Sequence, residues 1–176
     1  MVEVAPAAAQ EPLQAPAQEE KSQPVAKDGV RRAFLTHDPL SLDEIYREVN
    51  ATSCGAVVTF SGTTRDNFEG KEVKKLEYEA YEPMALKELQ SLVDEALSGV
   101  CGAGVRHVAC GHRLGVVPQG EASVIIAVGS EHRREGFSAC SFLIDSIKAK
   151  VPIWKREIYT DGSAWKANKE WEPPVL

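Results

Sequence analysis

The sequence Lys148-Ala149-Lys150-Val151-Pro152-Ile153-Trp154-Lys155-Arg156-Glu157 changes from helical to extended periodicity at a proline. Apolar residues at helical spacing lead up to Lys148, and Pro152 ends the helix because it disfavours helical geometry in the residue before it. Strand-like alternation then runs from Ile153 to Tyr159. Lys148 and Lys155 are therefore predicted to lie on different elements that meet at a tight corner, where both ammonium groups can face one ligand.

The charge of this region differs from that of the whole chain. The chain has 20 Lys and Arg residues against 26 Asp and Glu residues. Between Ser130 and Arg156, however, basic residues outnumber acidic ones. A local cationic patch on an acidic protein favours a small anion, because RNA or DNA is bound by a broadly basic surface. We therefore predict no nucleic-acid partner.

Length and composition predict one domain behind an unstructured tail. The 176 residues suffice for a domain with a sizeable core. Residues 1–30 are rich in Ala and Pro without apolar periodicity, so we predict a disordered tail there and a folded domain over residues 31–176. Secretory and transit signals are not recognisable, and no apolar run approaches the ~18 residues of a membrane span. A cytosolic protein without a membrane partner is the prediction.

The residues that could supply redox or metal chemistry show no supporting pattern. The cysteines form no CxxC pair and are predicted to be reduced, packed thiols. His107 and His112 have no carboxylate or cysteine at metal-ligand spacing. Walker, GxGxxG and G-x-S-x-G motifs do not occur in the sequence. We therefore predict neither a metal site nor a cofactor.

Three helices are predicted from capping and periodicity. A capping box at Ser41–Glu44 starts a short helix that is expected to open the domain. Pro83 suits the first turn of a longer helix, whose apolar stripe includes Leu86. A third helix is predicted from about residue 135 to residue 150, with Phe137 facing inward.

Strands alternate irregularly with these helices. Alternation of apolar and charged residues over 76–80 predicts a half-buried strand of the antiparallel type. Further strands are predicted at about 55–60, 105–110, 122–128 and 153–159, with a polar loop over 63–70 and a turn at 118–120. This order favours an α+β fold with a mixed or antiparallel sheet over a doubly wound fold.

Several cations have both a structural and a functional interpretation. Ser130-Glu131-His132-Arg133-Arg134 lies where a strand gives way to a helix, and cations are unfavourable at a helix N-terminus unless an anion neutralises them. Either a bound phosphate or carboxylate does so, or Glu131 and Glu135 do so in a solvated turn. Arg65, in a polar loop, is either a solvated side chain or a phosphate clamp.

The two lysines also have two interpretations each. Lys148, in the last turn of a helix, can simply point to water, where the helix dipole favours it. Lys155 shares a strand face with Ile153 and Tyr159, so it lies either among apolar groups or in a cleft. Among apolar groups an unpaired lysine is costly, and Glu157 on the same face could pair with it.

Five ordered motifs of the chain resemble the large, catalytic subunit of molybdopterin synthase. They are Gly55–Arg65, Leu76–Tyr81 with Met84-Ala85, His112–Gly115, Ser130–Arg133 and Lys148–Glu157. The resemblance runs from about Ser41 to Glu170 and implies a single α+β domain of α/β-hammerhead type.

The resemblance also implies the reaction and the partners. Members of this family form a homodimer of large subunits, with one small ubiquitin-like subunit on each end of a heterotetramer. The C-terminal Gly-Gly of the small subunit carries a thiocarboxylate. The enzyme adds two sulfurs to cyclic pyranopterin monophosphate, or precursor Z, giving the dithiolene of molybdopterin. A sulfurtransferase without an evident reactive cysteine is sensible when the sulfur arrives on a partner.

By motif, Lys148 and Lys155 resemble the catalytic pair of the family, acting on protons or holding the substrate covalently. The residues that resemble its substrate-binding set are Thr63, Thr64, Arg65, His132, Arg133, Lys148, Lys155, Arg156 and Glu157. Some relatives have an arginine near the C-terminus that reaches the neighbouring protomer's site. Lys169 takes that position here, and a lysine lacks the bidentate fork of an arginine.

A non-enzymatic module is the alternative to an enzyme. Such a protein would capture the C-terminal tail of a ubiquitin-like protein in the cationic cleft without turnover. Tail capture requires one carboxylate site, whereas Arg65, His132 and Arg133 would add a second anion site. This surplus of cations favours the enzyme.

Overall fold

The computed structural model describes residues 29–68, 70–160 and 162–166. Most of the predicted N-terminal tail therefore lies outside the described residues. The elements in chain order are β1 (Arg31–Thr36), α1 (Leu42–Val49), β2 (Ala56–Thr63), β3 (Asn67–Phe68), β4 (Lys71–Ala80), α2 (Glu82–Glu95), β5 (Val105–Arg113), β6 (Gly115–Pro118), β7 (Ala122–Ser130), α3 (Arg133–Lys150), β8 (Ile153–Tyr159) and β9 (Gly162–Lys166).

The strands form two sheets, and the predicted α+β class with mixed and antiparallel pairing is confirmed. The first sheet has the order β1-β5-β7-β2, in which β1 runs parallel to β5 and the other pairs are antiparallel. The second has the order β3-β4-β8-β9, with β6 paired to β4, and all of its pairs are antiparallel.

The first sheet carries the core because helices cover both of its faces. On one face, α1 packs Ile45 and Val49 against Ile125 of the sheet. On the other face, α2 and α3 pack a larger cluster that includes Leu89 and Leu143. Strand β7 is buried from its second residue to its last, as predicted for a central strand.

A single residue connects the two sheets between β5 and β6. Strand β5 ends in the first sheet at Arg113, and β6 begins in the second sheet at Gly115. Gly115 has a φ of 75°, which favours glycine because it has no Cβ. The chain thus turns sharply from one sheet into the other, and His112 lies at this junction.

Local signals located most of the elements correctly. Ser41 caps α1 by accepting a hydrogen bond of 3.3 Å from the backbone N–H of Glu44, and Pro83 lies in the first turn of α2. Strand β8 spans the predicted residues 153–159. At the junction before it, Val151 ends α3 as its C-cap and the extended conformation resumes directly after Pro152.

Three expectations about the fold are wrong. Strand β1 precedes α1, so the helix does not open the domain. This edge strand begins with two arginines, and the four residues after them are too few to show the alternation typical of a strand. Phe137 is 63% exposed and Leu86 43% exposed. The buried stripe of α3 instead runs through Gly136, Cys140, Leu143 and Ile147, which leaves Phe137 turned away from the core.

Candidate active site

A cavity of about 270 Å³ lies between the second sheet, the C-terminal half of α3 and the segment that follows β2. This volume is slightly below the ~300–1,000 Å³ typical of small-molecule sites. Five residues predicted for the site line it: Thr63, Arg65, Lys148, Lys155 and Glu157. The cavity therefore brings together residues from β2, α3 and β8.

The pairing of β4 with β8 directs Lys155 and Glu157 into this cavity. Lys155 lies opposite Tyr78, and Glu157 lies opposite Leu76. Because side chains alternate along a strand, residues two apart share a face. All four of these side chains line the cavity.

Lys155 and Glu157 form an ion pair at the cavity wall. The Lys155 ammonium lies 3.1 Å from a Glu157 carboxylate oxygen, with the Lys155 side chain 34% exposed and that of Glu157 3% exposed. The Tyr159 hydroxyl donates a hydrogen bond to the other Glu157 oxygen. The alternative in which Glu157 pairs with Lys155 is therefore the one observed, although Lys155 also faces a cleft.

Lys148 and Arg65 supply positive charge from the other walls. Lys148 lines the cavity from the last turns of α3, beside Ile144 and Ile147. The Arg65 guanidinium carbon lies 5.5 Å from the centre of the Phe68 ring, within the range of a cation–π contact. Among the described residues, three cationic side chains thus line one small cavity against the single carboxylate of Glu157, and this excess of positive charge favours an anion.

Two predicted residues from the same motifs do not line the cavity. Thr64 is buried and donates a hydrogen bond of 3.3 Å to the Val117 carbonyl oxygen. Arg156 lies on the opposite face of the second sheet, where its guanidinium bonds the carboxylate of Glu77. Alternation along β8 explains this position, since Arg156 lies between two inward-facing residues.

His132 and Arg133 lie at the other end of α3. His132 is the N-cap of this helix and Arg133 its first residue. At a rise of 1.5 Å per residue, Arg133 and Lys148 are about 22 Å apart along the helix axis. Within one chain, the structure therefore does not bring these two residues to the cavity. Lys169 lies outside the described residues.

Glu131, which directly precedes His132, forms a hydrogen bond with an arginine of β5. The Arg106 Nε donates a hydrogen bond of 3.0 Å to a Glu131 carboxylate oxygen. This bond and the charge of Arg106 lower the pKa of Glu131. The cation that Glu131 contacts directly thus comes from β5, and an anionic ligand remains a prediction for His132 and Arg133.

Sequence reasoning did not assign the polar floor of the cavity, formed by Tyr78, His112 and Ser123. The Tyr78 hydroxyl donates to Ser123 Oγ at 3.2 Å, and Ser123 Oγ donates to the Gly62 carbonyl oxygen at 3.2 Å. The His112 and Tyr78 rings meet edge to face at 5.0 Å. Both residues belong to motifs that carry the family resemblance, which is the signal that could have found them.

Burial shifts the pKa values of His112 and Tyr78 in the floor of the cavity. It lowers the pKa of His112 to about 4, although the bond to the Arg113 carbonyl acts in the opposite direction. Burial also raises the pKa of Tyr78, and the charge of Glu157 adds to this effect. Both groups are therefore neutral near pH 7.

The cysteines do not provide a reactive thiolate. All four are free, with Cys101, Cys110 and Cys140 buried and Cys54 partly buried. Burial raises the pKa of Cys110 to about 12 and that of Cys140 to about 11. Burial also raises the pKa of Cys54 and of Cys101. Because the thiolate is the nucleophile, a protonated thiol is a poor sulfur carrier.

Two features are absent from the described part of the chain, a metal-binding cluster and a membrane-spanning helix. No group of three or more His, Cys, Asp or Glu side chains is arranged there to hold a metal ion. None of the helices described is both long enough and apolar enough to cross a membrane.

Comparison with known proteins gives consistent matches. Residues 35–150 match the family model described as MoaE protein. The molybdopterin synthase catalytic subunit of Homo sapiens is 52% identical over 136 residues, which cover 77% of this chain and 71% of that protein. That of Bos taurus is 50% identical over 153 residues, covering 86% and 76%.

Solved structures agree with the fold. The crystal structure of molybdopterin synthase from Staphylococcus aureus superposes with a TM-score of 0.70 at 36% identity, covering 76% of this chain and 95% of that one. A complex of subunits 1 and 2 of molybdopterin-converting factor from Helicobacter pylori has a TM-score of 0.62 at 20% identity, covering 81% and 92%. With the family model matching more than half of its length, the chain belongs to the MoaE protein family.

Proposed function

We propose that this chain is the catalytic large subunit of a molybdopterin synthase. In this role it converts cyclic pyranopterin monophosphate to molybdopterin by adding the two dithiolene sulfurs. The observation that carries the proposal is the convergence of Lys148, Lys155 and Arg65 on one small cavity. The relatives from Homo sapiens and Bos taurus, each named a molybdopterin synthase catalytic subunit, support it.

The sulfur comes from a partner in this proposal. A small ubiquitin-like subunit presents a C-terminal thiocarboxylate, and two large subunits and two small subunits form a heterotetramer. The complex of two subunits from Helicobacter pylori supports such a partner. The raised pKa values of the cysteine thiols support it as well, since they leave no ready thiolate on this chain.

The lysines act where charge and protons move. Transfer of sulfur breaks the C–S bond of the thiocarboxylate, and water supplies the second oxygen of the carboxylate that is left on the small subunit. Opening of the cyclic phosphate breaks one of its ester bonds and exposes a further negative charge. Fixed cations stabilise such charges most when they are already in position, as Lys155 is through its contact with Glu157. Lys148, on the facing helix, transfers a proton or holds the substrate covalently.

His132 and Arg133 contact the substrate from a second copy of the chain in this proposal. The separation of about 22 Å along α3 supports this, because it places Arg133 far from a substrate at Lys148 of the same chain. Mixed dimers test this. The mixed dimer contains one Lys155→Ala chain and one Arg133→Ala chain. If each site takes Lys155 from one chain and Arg133 from the other, one of the two sites has both residues intact, so activity returns. If both residues act within one chain, every mixed dimer stays inactive.

The proposed reaction is tested by mass spectrometry of the pterin product. Purified chain, thiocarboxylated small subunit and cyclic pyranopterin monophosphate are mixed, with unmodified small subunit as the control. We expect a product that has gained two sulfurs only with the thiocarboxylate. Binding of the small subunit without any gain of sulfur would favour the tail-capturing module, which the comparisons do not favour.

We also propose a cytosolic location. All four cysteines are free thiols, and free thiols are typical of a reducing compartment. A fluorescent fusion or cell fractionation would test this location directly.

A further inference from the structure

The polar floor of the cavity presents hydrogen-bond acceptors rather than donors. His112 Nδ1 lies 2.8 Å from the Arg113 carbonyl oxygen. A carbonyl oxygen can only accept, so Nδ1 carries the proton and donates. In a neutral imidazole, Nε2 then carries no hydrogen and is left with a lone pair. The tautomer of His112 is thus fixed by its own backbone neighbour.

The Tyr78 hydroxyl has the same polarity. Its only hydrogen is donated to Ser123 Oγ, and the only hydroxyl hydrogen of Ser123 is donated to the Gly62 carbonyl oxygen. The Tyr78 oxygen therefore keeps its lone pairs as acceptors. Both rings line the cavity, and they contact each other edge to face.

The floor and the rim of the cavity therefore favour different chemical groups. Lys148, Lys155 and Arg65 attract an anion, whereas an acceptor surface repels one and favours N–H donors. A reduced pterin carries such donors on its exocyclic amino group and ring nitrogens. A phosphorylated pterin has one end that fits each part of the cavity.

We propose that His112 Nε2 and the Tyr78 hydroxyl oxygen bind the bicyclic ring of the substrate by accepting hydrogen bonds from its N–H groups. This inference rests on the proposed function and assigns the orientation of the substrate, with the ring on the floor and the phosphate at the cationic rim. His112 recognises the ring and does not transfer protons, because a strongly buried, neutral imidazole is a weak base.

Binding of two separate probes tests the orientation. Pterin, which has no phosphate, and inorganic phosphate are each titrated against the chain by NMR. We expect His112→Phe to weaken pterin binding about tenfold and leave phosphate binding unchanged. Lys148→Ala should do the opposite. Equal weakening of both probes by His112→Phe, or no change in pterin binding, would overturn the proposal.

Two milder variants and one measurement on the unmutated chain guard against a loss of folding. Tyr78→Phe removes only the hydroxyl and should weaken pterin binding about threefold. His112→Gln keeps a side-chain acceptor and should bind pterin more tightly than His112→Phe. In the unmutated chain, ¹⁵N NMR should show an unprotonated His112 Nε2 whose signal shifts with pterin and not with phosphate. A protonated Nε2, or a signal that ignores pterin, would contradict the proposal.

The test of how the pterin ring is bound can fail independently of the test of sulfur addition. Probe binding requires neither the small subunit nor turnover. If sulfur is added but His112→Phe leaves pterin affinity unchanged, only the orientation is wrong. If pterin binding depends on His112 but no sulfur is added in the full reaction, only the proposed function fails.

Discussion

The ammonium nitrogen of Lys155 lies 3.1 Å from a carboxylate oxygen of Glu157, two positions along the same strand. Glu157 is buried and also accepts a hydrogen bond from the Tyr159 hydroxyl. The hydrogen bond from Tyr159 and the ion pair with Lys155 hold the carboxylate, which in turn restricts the lysine. The candidate catalytic cation is therefore held in place before the substrate arrives, which is how fixed charges contribute most to catalysis.

Replacement of either cavity lysine should remove activity. We expect Lys148→Ala and Lys155→Ala each to lower the rate of dithiolene formation by about 100-fold or more, because each removes a cation at the reacting groups. Lys150→Ala is the matched control. Lys150 belongs to the same helix end but does not line the cavity, and its ammonium nitrogen lies 3.9 Å from a Glu95 carboxylate oxygen instead. A loss with Lys150→Ala as large as with Lys148→Ala would contradict the assignment.

Glu157→Gln should lower activity while the lysine is still present. The amide cannot form the ion pair with Lys155, so we expect kcat to fall about tenfold and the free energy of unfolding to fall by about 1–3 kcal/mol. Steady-state kinetics and urea denaturation measure the two effects. Glu79→Gln, on an exposed position of the neighbouring strand, is the control. Unchanged kcat in Glu157→Gln would show that the ion pair does not position Lys155.

Acid should destabilise the fold through His112. Its pKa is about 4 in the folded chain, whereas an unfolded histidine titrates near 6.5. The unfolded chain therefore gains a proton as the pH falls from about 6.5 towards 4, and the folded chain does not. The stability from neutral His112 is complete above pH 6.5 and is lost below it, by roughly 3 kcal/mol in total.

Urea denaturation at several pH values between 7.5 and 4.5 measures this loss. His112→Gln should flatten the pH dependence, because a glutamine does not titrate. An equally steep slope in His112→Gln and the unmutated chain would assign the effect to other groups.

Alkylation of the cysteines should be slow and should not stop the reaction. Burial raises the pKa of all four thiols, so little thiolate is available to iodoacetamide near pH 7. We expect the native chain to keep more than about half of its activity after a treatment that alkylates the urea-unfolded chain completely. Mass spectrometry counts the modified cysteines. Loss of activity in step with alkylation of one cysteine would indicate a sulfur carrier on this chain.

Local patterns predicted the elements that hold the site. The proline at residue 152 and the alternation after it located β8 and the end of α3, because both signals depend only on neighbouring residues. The convergence of Lys148 and Lys155 followed from the same corner. The alternation also implied the outward position of Arg156, although the motif grouped Arg156 with its two inward-facing neighbours.

The floor of the cavity could not be predicted in this way. Tyr78 and His112 belong to different sheets, and they meet only because the chain passes from β5 into β6 at Gly115. No local period encodes such a contact. The motifs also place both Arg133 and Lys148 in the site. In the structure these two residues lie near opposite ends of α3, a helix of 18 residues, so they are far apart within one chain.

The central claim is that sulfur from a partner is added to a substrate held between Lys148 and Lys155. Its most direct test is a reaction that supplies two small subunits per substrate molecule, each with ³⁴S in its thiocarboxylate, followed by mass spectrometry of the pterin product. We predict a product with two ³⁴S atoms from the unmutated chain and unconverted substrate from the Lys148→Ala, Lys155→Ala double variant. Unlabelled sulfur in the product, or full labelling with the double variant, would contradict the claim.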